Sequence, residues 1–239
     1  TQASSSAASD VYKRQTQLPL TLLLPSTYDK DSFVIGSANE KALGWLERWP
    51  DWPLPSKGLN LYGPSGSGKT HLSYLWAGRG EAIALNNLSH FDQDQFLETQ
   101  HVVLDDFGVS GYYDDTAVFH LLNYISSVSG TLLIISPYPV AQYKTPLSDL
   151  RSRLRSVAAQ EIDLPDDGLL KAVLAKHFTD RQCTVSEQVL NYIVSRMERS
   201  FSAAQQLSAE IDALALSRKV PVNLTIARQV LDSFKVKLT

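Results

Sequence analysis

The chain has 239 residues, 44% of them hydrophobic, enough for one sizeable core or two modest ones. Its 22 Lys and Arg against 25 Asp and Glu leave a net charge of −3, which argues against a dedicated duplex-DNA binder and for a protein partner. A single cysteine, Cys183, excludes an intramolecular disulfide and a Cys-based metal cluster, and no apolar run approaches the roughly 20 residues that span a bilayer. The start of the sequence lacks the basic-then-apolar layout of a secretory signal, so a soluble cytoplasmic protein without membrane contact is expected.

Residues 1–16 are small and polar without periodicity and are read as a disordered tail. Within them, Ser9 to Gln15 resembles adapter-derived sequence of translated metagenomic reads, which leaves the native status of the tail open. In the next segment, residues 17–27, Leu18, Leu20 and Leu22 alternate beside Gln17. An extended peptide of this kind can enter an apolar groove with Gln17 hydrogen-bonded at the edge, or can pack on the protein's own sheet. Trp45, Trp49 and Trp52 lie among Pro50, Pro53 and Pro55, where core or linker packing is the simpler reading than stacking on single-stranded nucleic acid.

Residues 63–70, Gly-Pro-Ser-Gly-Ser-Gly-Lys-Thr, follow an apolar strand and match G-x-x-x-x-G-K-[ST]. The glycines let backbone N–H groups turn around a β-phosphate, and the helix that starts near Lys69 adds its positive dipole end. Lys69 would reach the β- and γ-phosphates and the Thr70 hydroxyl would hold Mg²⁺, so ATP or ADP with Mg²⁺ is the expected cofactor. Gly63, Pro64, Ser65, Gly66, Ser67, Gly68, Lys69, Thr70 and the following His71 are the candidate phosphate-side residues.

From Leu59 to Asp163 apolar runs alternate with amphipathic segments, the rhythm of a parallel sheet covered by helices. Strands are predicted at 58–62, 81–86, 101–105, 131–136 and 158–163, with helices beginning after Gly68 and near Asp92, Asp114 and Pro146. Such a doubly wound domain binds ligands at the carboxyl ends of its strands. The third strand closes on Asp105 and Asp106, where Asp105 would join the Mg²⁺ shell and Asp106 would orient or deprotonate an attacking water. The Tyr112-Tyr113-Asp114-Asp115 stretch after the third strand is read as a loop able to contact a partner. After Asp163 the periodicity becomes helical to the end, predicting a small all-α lid whose last helix is capped by Asn223 or Thr225. The five histidines show no metal-ligand spacing.

A sheet domain with a helical lid resembles the AAA+ class, and the details are similar to the DnaA-related family, especially its shorter Hda members. The residues that carry the likeness are Phe33 and Val34 in Ser32-Phe33-Val34-Ile35-Gly36-Ser37-Ala38-Asn39, the phosphate loop with its continuation to Leu72, and weaker matches at Lys176, Arg181, Val189 and Tyr192. The resemblance covers roughly residues 17–231 and implies a base domain at 28–164 and a lid at 165–239. It also implies that Phe33 and Val34 lie against the adenine. Arg151-Ser152-Arg153-Leu154 resembles the family's arginine-finger box, which assigns the finger to Arg153; the bland alternative is a solvated basic helix face. Gln17 to Leu22 resembles the peptide with which Hda proteins dock on the sliding clamp of DNA polymerase III.

Three departures matter. The family's additional arginine falls on Asp149, its lid arginine falls on Ser202, and its fourth-strand sensor Ser-Asp reads Ser136-Pro137, which leaves Ser136 as the polar catalytic candidate there. Weak intrinsic hydrolysis and a resident ADP are therefore expected. The sequence ends at Thr239 without the helix-turn-helix region of the initiators, so sequence-specific duplex recognition is not expected. The resemblance thus implies a regulator that docks on the clamp and promotes hydrolysis of ATP bound to DnaA, with self-association left open. A self-sufficient remodelling ATPase or helicase loader, and an adaptor that binds nucleotide only for stability, are the alternative readings.

Overall fold

A computed structural model describes residues 34–96, 100–109 and 111–237, with side chains through 234. The expected contributions of Gln17, Leu18, Leu20, Leu22 and Phe33 lie outside the described residues.

Five parallel strands form the base: β1 (Gly58–Tyr62), β2 (Ile83–Leu85), β3 (His101–Leu104), β4 (Thr131–Ser136) and β5 (Ala158–Glu161), in the order β2-β3-β4-β1-β5. The chain runs from β1 to the far edge, returns through β3 to β4, and then crosses β1 to add β5. The ends of β1, β4 and β3 therefore lie side by side, with Tyr62 opposite Ser136 and Leu104 opposite Ile134.

Alternation builds two apolar layers. Leu59, Leu61, Val103, Leu133 and Ile135 face one side, where they meet Leu72 and Trp76 of helix α2 (Lys69–Gly80) and Ala42 and Leu46 of α1 (Glu40–Glu47). Val102, Leu104, Leu132 and Ile134 face the other, against Leu121 and Ile125 of α3 (Asp115–Ser127) and Leu150 and Leu154 of α4 (Ser148–Arg155). All six residues of β4 are buried, which is why this strand reads as a continuous apolar run. The tryptophans belong to the first layer: Trp52 stacks on Trp76 at 5.2 Å, and the Trp49 indole donates to Thr131 Oγ1.

The lid consists of α5 (Asp167–Asp180), α6 (Glu187–Val194), α7 (Phe201–Arg218) and α8 (Leu224–Lys237) around a separate core that includes Leu170, Leu174, Ile193 and Ile211. Asn223 is the cap of α8, its Oδ1 accepting from the amides of Thr225 and Ile226. The last helix is longer than the short segment expected from the sequence. Near Asp92 only a 3₁₀ turn, Gln93–Phe96, is described, and β2 and β5 are each shorter than predicted. Among the described residues no helix is long and apolar enough to cross a membrane.

Asn60 is the exception in β1. It faces the α3 and α4 layer fully buried, donating to Ile134 O at 3.0 Å and Ser136 Oγ at 2.8 Å, while its Oδ1 accepts from Val140 N at 3.0 Å. One side chain thus joins β1, β4 and the segment after β4. Asn60→Ala strands the Val140 amide and is expected to cost about 1–3 kcal/mol, read as a lowered urea midpoint with an unchanged m-value.

Candidate nucleotide-binding site

The phosphate loop leaves β1 through backbone conformations that only glycine adopts freely. Gly63 has φ +150°, and a Cβ there would lie 2.2 Å from the Ile162 carbonyl oxygen. Gly66 and Gly68 have φ values of +74° and +89°. Gly68 stands immediately before α2, so the N-terminal amides of that helix open onto the loop. The Lys69 ammonium folds back over the loop and donates to Gly63 O at 2.9 Å and Pro64 O at 2.7 Å. Pro64 and Ser65 are exposed, whereas Ser67 is buried with its hydroxyl 3.4 Å from Lys69 Nζ.

Asp105 follows β3 directly and meets the loop from the second strand end. Its Oδ1 lies 3.4 Å from Thr70 Oγ1 and accepts the Asp106 amide at 3.0 Å. Asp106 then turns sharply with φ +54°, a conformation aspartate tolerates, and its side chain is exposed. Burial holds the Lys69 ammonium below its ordinary pKa against the pull of Asp105 and Asp106, and burial likewise raises the Asp105 carboxyl. Burial also lowers the pKa of His71, in the first turn of α2.

Two hard oxygen donors in contact suit Mg²⁺, which keeps several waters and needs only one or two protein ligands beside substrate phosphates. A cluster of three or more His, Cys, Asp or Glu is not required, and among the described residues none exists that could hold a metal.

Tyr113, which pattern reading placed on a partner-contact loop, instead points inward. Its hydroxyl lies between the carbonyls of Leu85 and Asp105, joining the ends of β2 and β3, and burial raises its pKa. Asp114 caps α3 by accepting the Ala117 amide, while Asp115 accepts from the hydroxyls of Tyr143 and Thr145. Tyr112 and Asp114 of that stretch are exposed. Ser136 is buried; its hydroxyl donates to Tyr138 O at 2.7 Å and accepts from Asn60.

The segment holding Val34 lies against the lid. Val34 packs on the lid core, Asn39 donates to Val34 O, and a Cβ on Gly36 would meet Leu169 at 2.8 Å. Ser37 Oγ donates to Asp166, the N-cap of α5. The lid also meets the phosphate loop, where Phe201 of α7 donates its amide to Gly66 O. In the sequence this contact has no signal beyond Ser202 in place of the family's lid arginine.

On α4 the arginines separate. All three are exposed; the Arg151 guanidinium donates to Thr145 O and lines a shallow cleft with Lys144 and Arg155, whereas the Arg153 guanidinium carbon lies 5.7 Å from the Phe119 ring centre.

No family model matches the chain. The chromosomal replication initiator protein DnaA of Tropheryma whipplei (strain Twist) is 27% identical over 232 residues, covering 84% of this chain and 47% of that protein. The chain spans about half the length of the curated relatives it matches. Domain III of Thermotoga maritima DnaA superposes with a TM-score of 0.71 at 18% identity, covering 87% of this chain and 96% of the domain. A replication initiator DnaA bound to AMPPCP and single-stranded DNA gives a TM-score of 0.63 at 16% identity, covering 82% of this chain and 69% of that one. The chain is therefore DnaA-like in sequence and has the α/β fold of AAA+ ATPases.

Since burial penalises the ionised Asp105, stability falls as pH rises through the ordinary carboxylate value of 3.8 and past the raised value of the folded state. Asp105→Asn is expected to raise the melting temperature of the nucleotide-free protein at neutral pH. That gain should vanish below pH 3.8, where both states carry the protonated acid.

Proposed function

We propose that this protein binds ATP or ADP with Mg²⁺ and acts as an Hda-like regulator of replication initiation. In this reading it docks on the sliding clamp through Gln17, Leu18, Leu20 and Leu22 and promotes hydrolysis of ATP held by DnaA. The observation that carries the reading is the pairing of a phosphate loop, bearing Lys69 and Thr70 against Asp105, with an arginine on α4 that faces outward. Within its own site the loop amides and Lys69 would hold the phosphates, Thr70 and Asp105 the Mg²⁺, and Asp106 the water. His71 and Val34, with Phe33, would border the nucleotide. A role for Ser136 at the phosphate requires its bond to Tyr138 O to be broken.

Magnesium, when bound, would neutralise charge on the β- and γ-oxygens. The lid brings serine hydroxyls and a main-chain amide to the loop, while the nearby Arg199 pairs with Asp167. That polar but uncharged contact supports weak intrinsic turnover and a resident ADP. Arg153 makes no ion pair among the described residues, which leaves its charge for the ATP of an adjoining initiator subunit.

The test loads radiolabelled ATP on DnaA, adds clamp assembled on DNA, and follows conversion to ADP. This protein should accelerate conversion, and Arg153→Ala should remove an effect of about 10³-fold. Acceleration should also require an intact Gln17 to Leu22. No acceleration with protein and clamp in excess would reject the regulator in favour of a remodelling ATPase or an adaptor. An effect abolished by Arg151→Ala and untouched by Arg153→Ala would move the finger to Arg151.

A further inference from the structure

The first amides of a helix have no partner within it. At α7, Ser200 is the cap and its Oγ accepts the Ala203 amide at 3.1 Å, leaving the amide of Phe201, the first helical residue, to be satisfied elsewhere. Its acceptor is the carbonyl of Gly66 in the phosphate loop, at 2.8 Å. The approach is close along its length. A Cβ on Gly66 would lie 2.6 Å from Ser200 Cβ, and one on Gly68 would lie 3.2 Å from the Phe201 ring.

The Gly66–Ser67 peptide is not among the cis bonds of the described residues, so its carbonyl and its N–H point in opposite directions across one rigid plane. Anchoring the carbonyl on the lid therefore aims the Ser67 N–H away from the lid. A loop with three positive-φ glycines within six residues, 63–68, has many conformations to lose on meeting a ligand. A peptide already held reduces that loss.

We propose that the main-chain amide of Phe201 is a positioning group for the phosphate loop: it holds the Gly66 carbonyl so that the Ser67 N–H is presented to a β-phosphate. The lid thereby completes the loop. This rests on the reading of the loop as a site for a nucleoside diphosphate or triphosphate.

Position 201 permits a clean test, because proline is accepted at the first position of a helix and Ser200, at φ −145° and ψ 150°, already has the backbone that proline requires of its predecessor. Phe201→Pro removes the ring and the amide; Phe201→Ala removes the ring alone. By calorimetry, Phe201→Pro should bind Mg-ADP and Mg-ATP roughly 3- to 10-fold more weakly than Phe201→Ala, by the same factor for both. AMP, which lacks the β-phosphate, should bind the two variants alike. An amide-to-ester replacement at Phe201, which keeps the ring, should reproduce the proline effect relative to the unmodified protein and supplies the result if the proline variant does not fold. Equal ADP affinities for the proline and alanine variants, or an equal loss toward AMP, would overturn the proposal while leaving nucleotide binding intact. An unmodified protein that bound neither ADP nor ATP would overturn both readings.

Discussion

Holding the Lys69 ammonium inside a bend of peptide carbonyls is the constraint around which the base domain is arranged. Burial disfavours that charge, and the carbonyls of Gly63 and Pro64 supply its partners at the cost of wrapping the chain tightly around it. Such wrapping needs a backbone without a side chain at Gly63, where the Ile162 carbonyl passes too close for a Cβ. Asp105 carries the complementary strain, since its carboxyl too is shifted toward neutrality. The two opposite charges are each disfavoured by their surroundings, and a ligand that brings both phosphate and a divalent cation would relieve both.

That arrangement is held by neighbours that perform no chemistry. Tyr113 ties the carbonyl of Asp105 to the end of β2, while Asn60 ties β1 to β4 and to the chain beyond it. The strand order places these ties at one end of the sheet, so the loop after β1 and the acid after β3 meet across β4. The lid then bears on the loop through Phe201 and on the 34–39 segment through Leu169 and Asp166. The lid thus meets the loop through a main-chain hydrogen bond and the 34–39 segment through side chains.

Legibility followed the range of the signal. The phosphate loop could be read because its chemistry is local and its glycines are demanded by backbone angles. The apolar runs of β3 and β4 could be read because these strands are covered on both faces, so that nearly every residue in them is buried. Helix α1 was not foreseen, since its buried face is little more than Ala42 and Leu46 and its neighbours are prolines and tryptophans. Where a helix is expected near Asp92, the described residues hold a 3₁₀ turn, Gln93–Phe96, with Phe96 its buried residue. Tyr113 and Asn60 were invisible for a different reason: each acts on carbonyls or amides that are distant in sequence, and no spacing announces such a partner. The Phe201 amide is the extreme case, a contact made by an atom that almost every residue has.

The arginines of α4 show how helix geometry decides what a basic cluster can do. Residues four apart share a face, so Arg151 and Arg155 fall together and line the cleft with Lys144, while Arg153 is turned from them. Arg151 is already committed to the Thr145 carbonyl, and its removal would loosen the segment that Asp115 also holds. Arg153 has only the face of Phe119 beside it, a contact compatible with swinging the guanidinium outward. In the proposed finger role a guanidinium must be cheap to release, and Arg153, with a single ring beside it, meets that condition better than Arg151, which is bonded to Thr145 O.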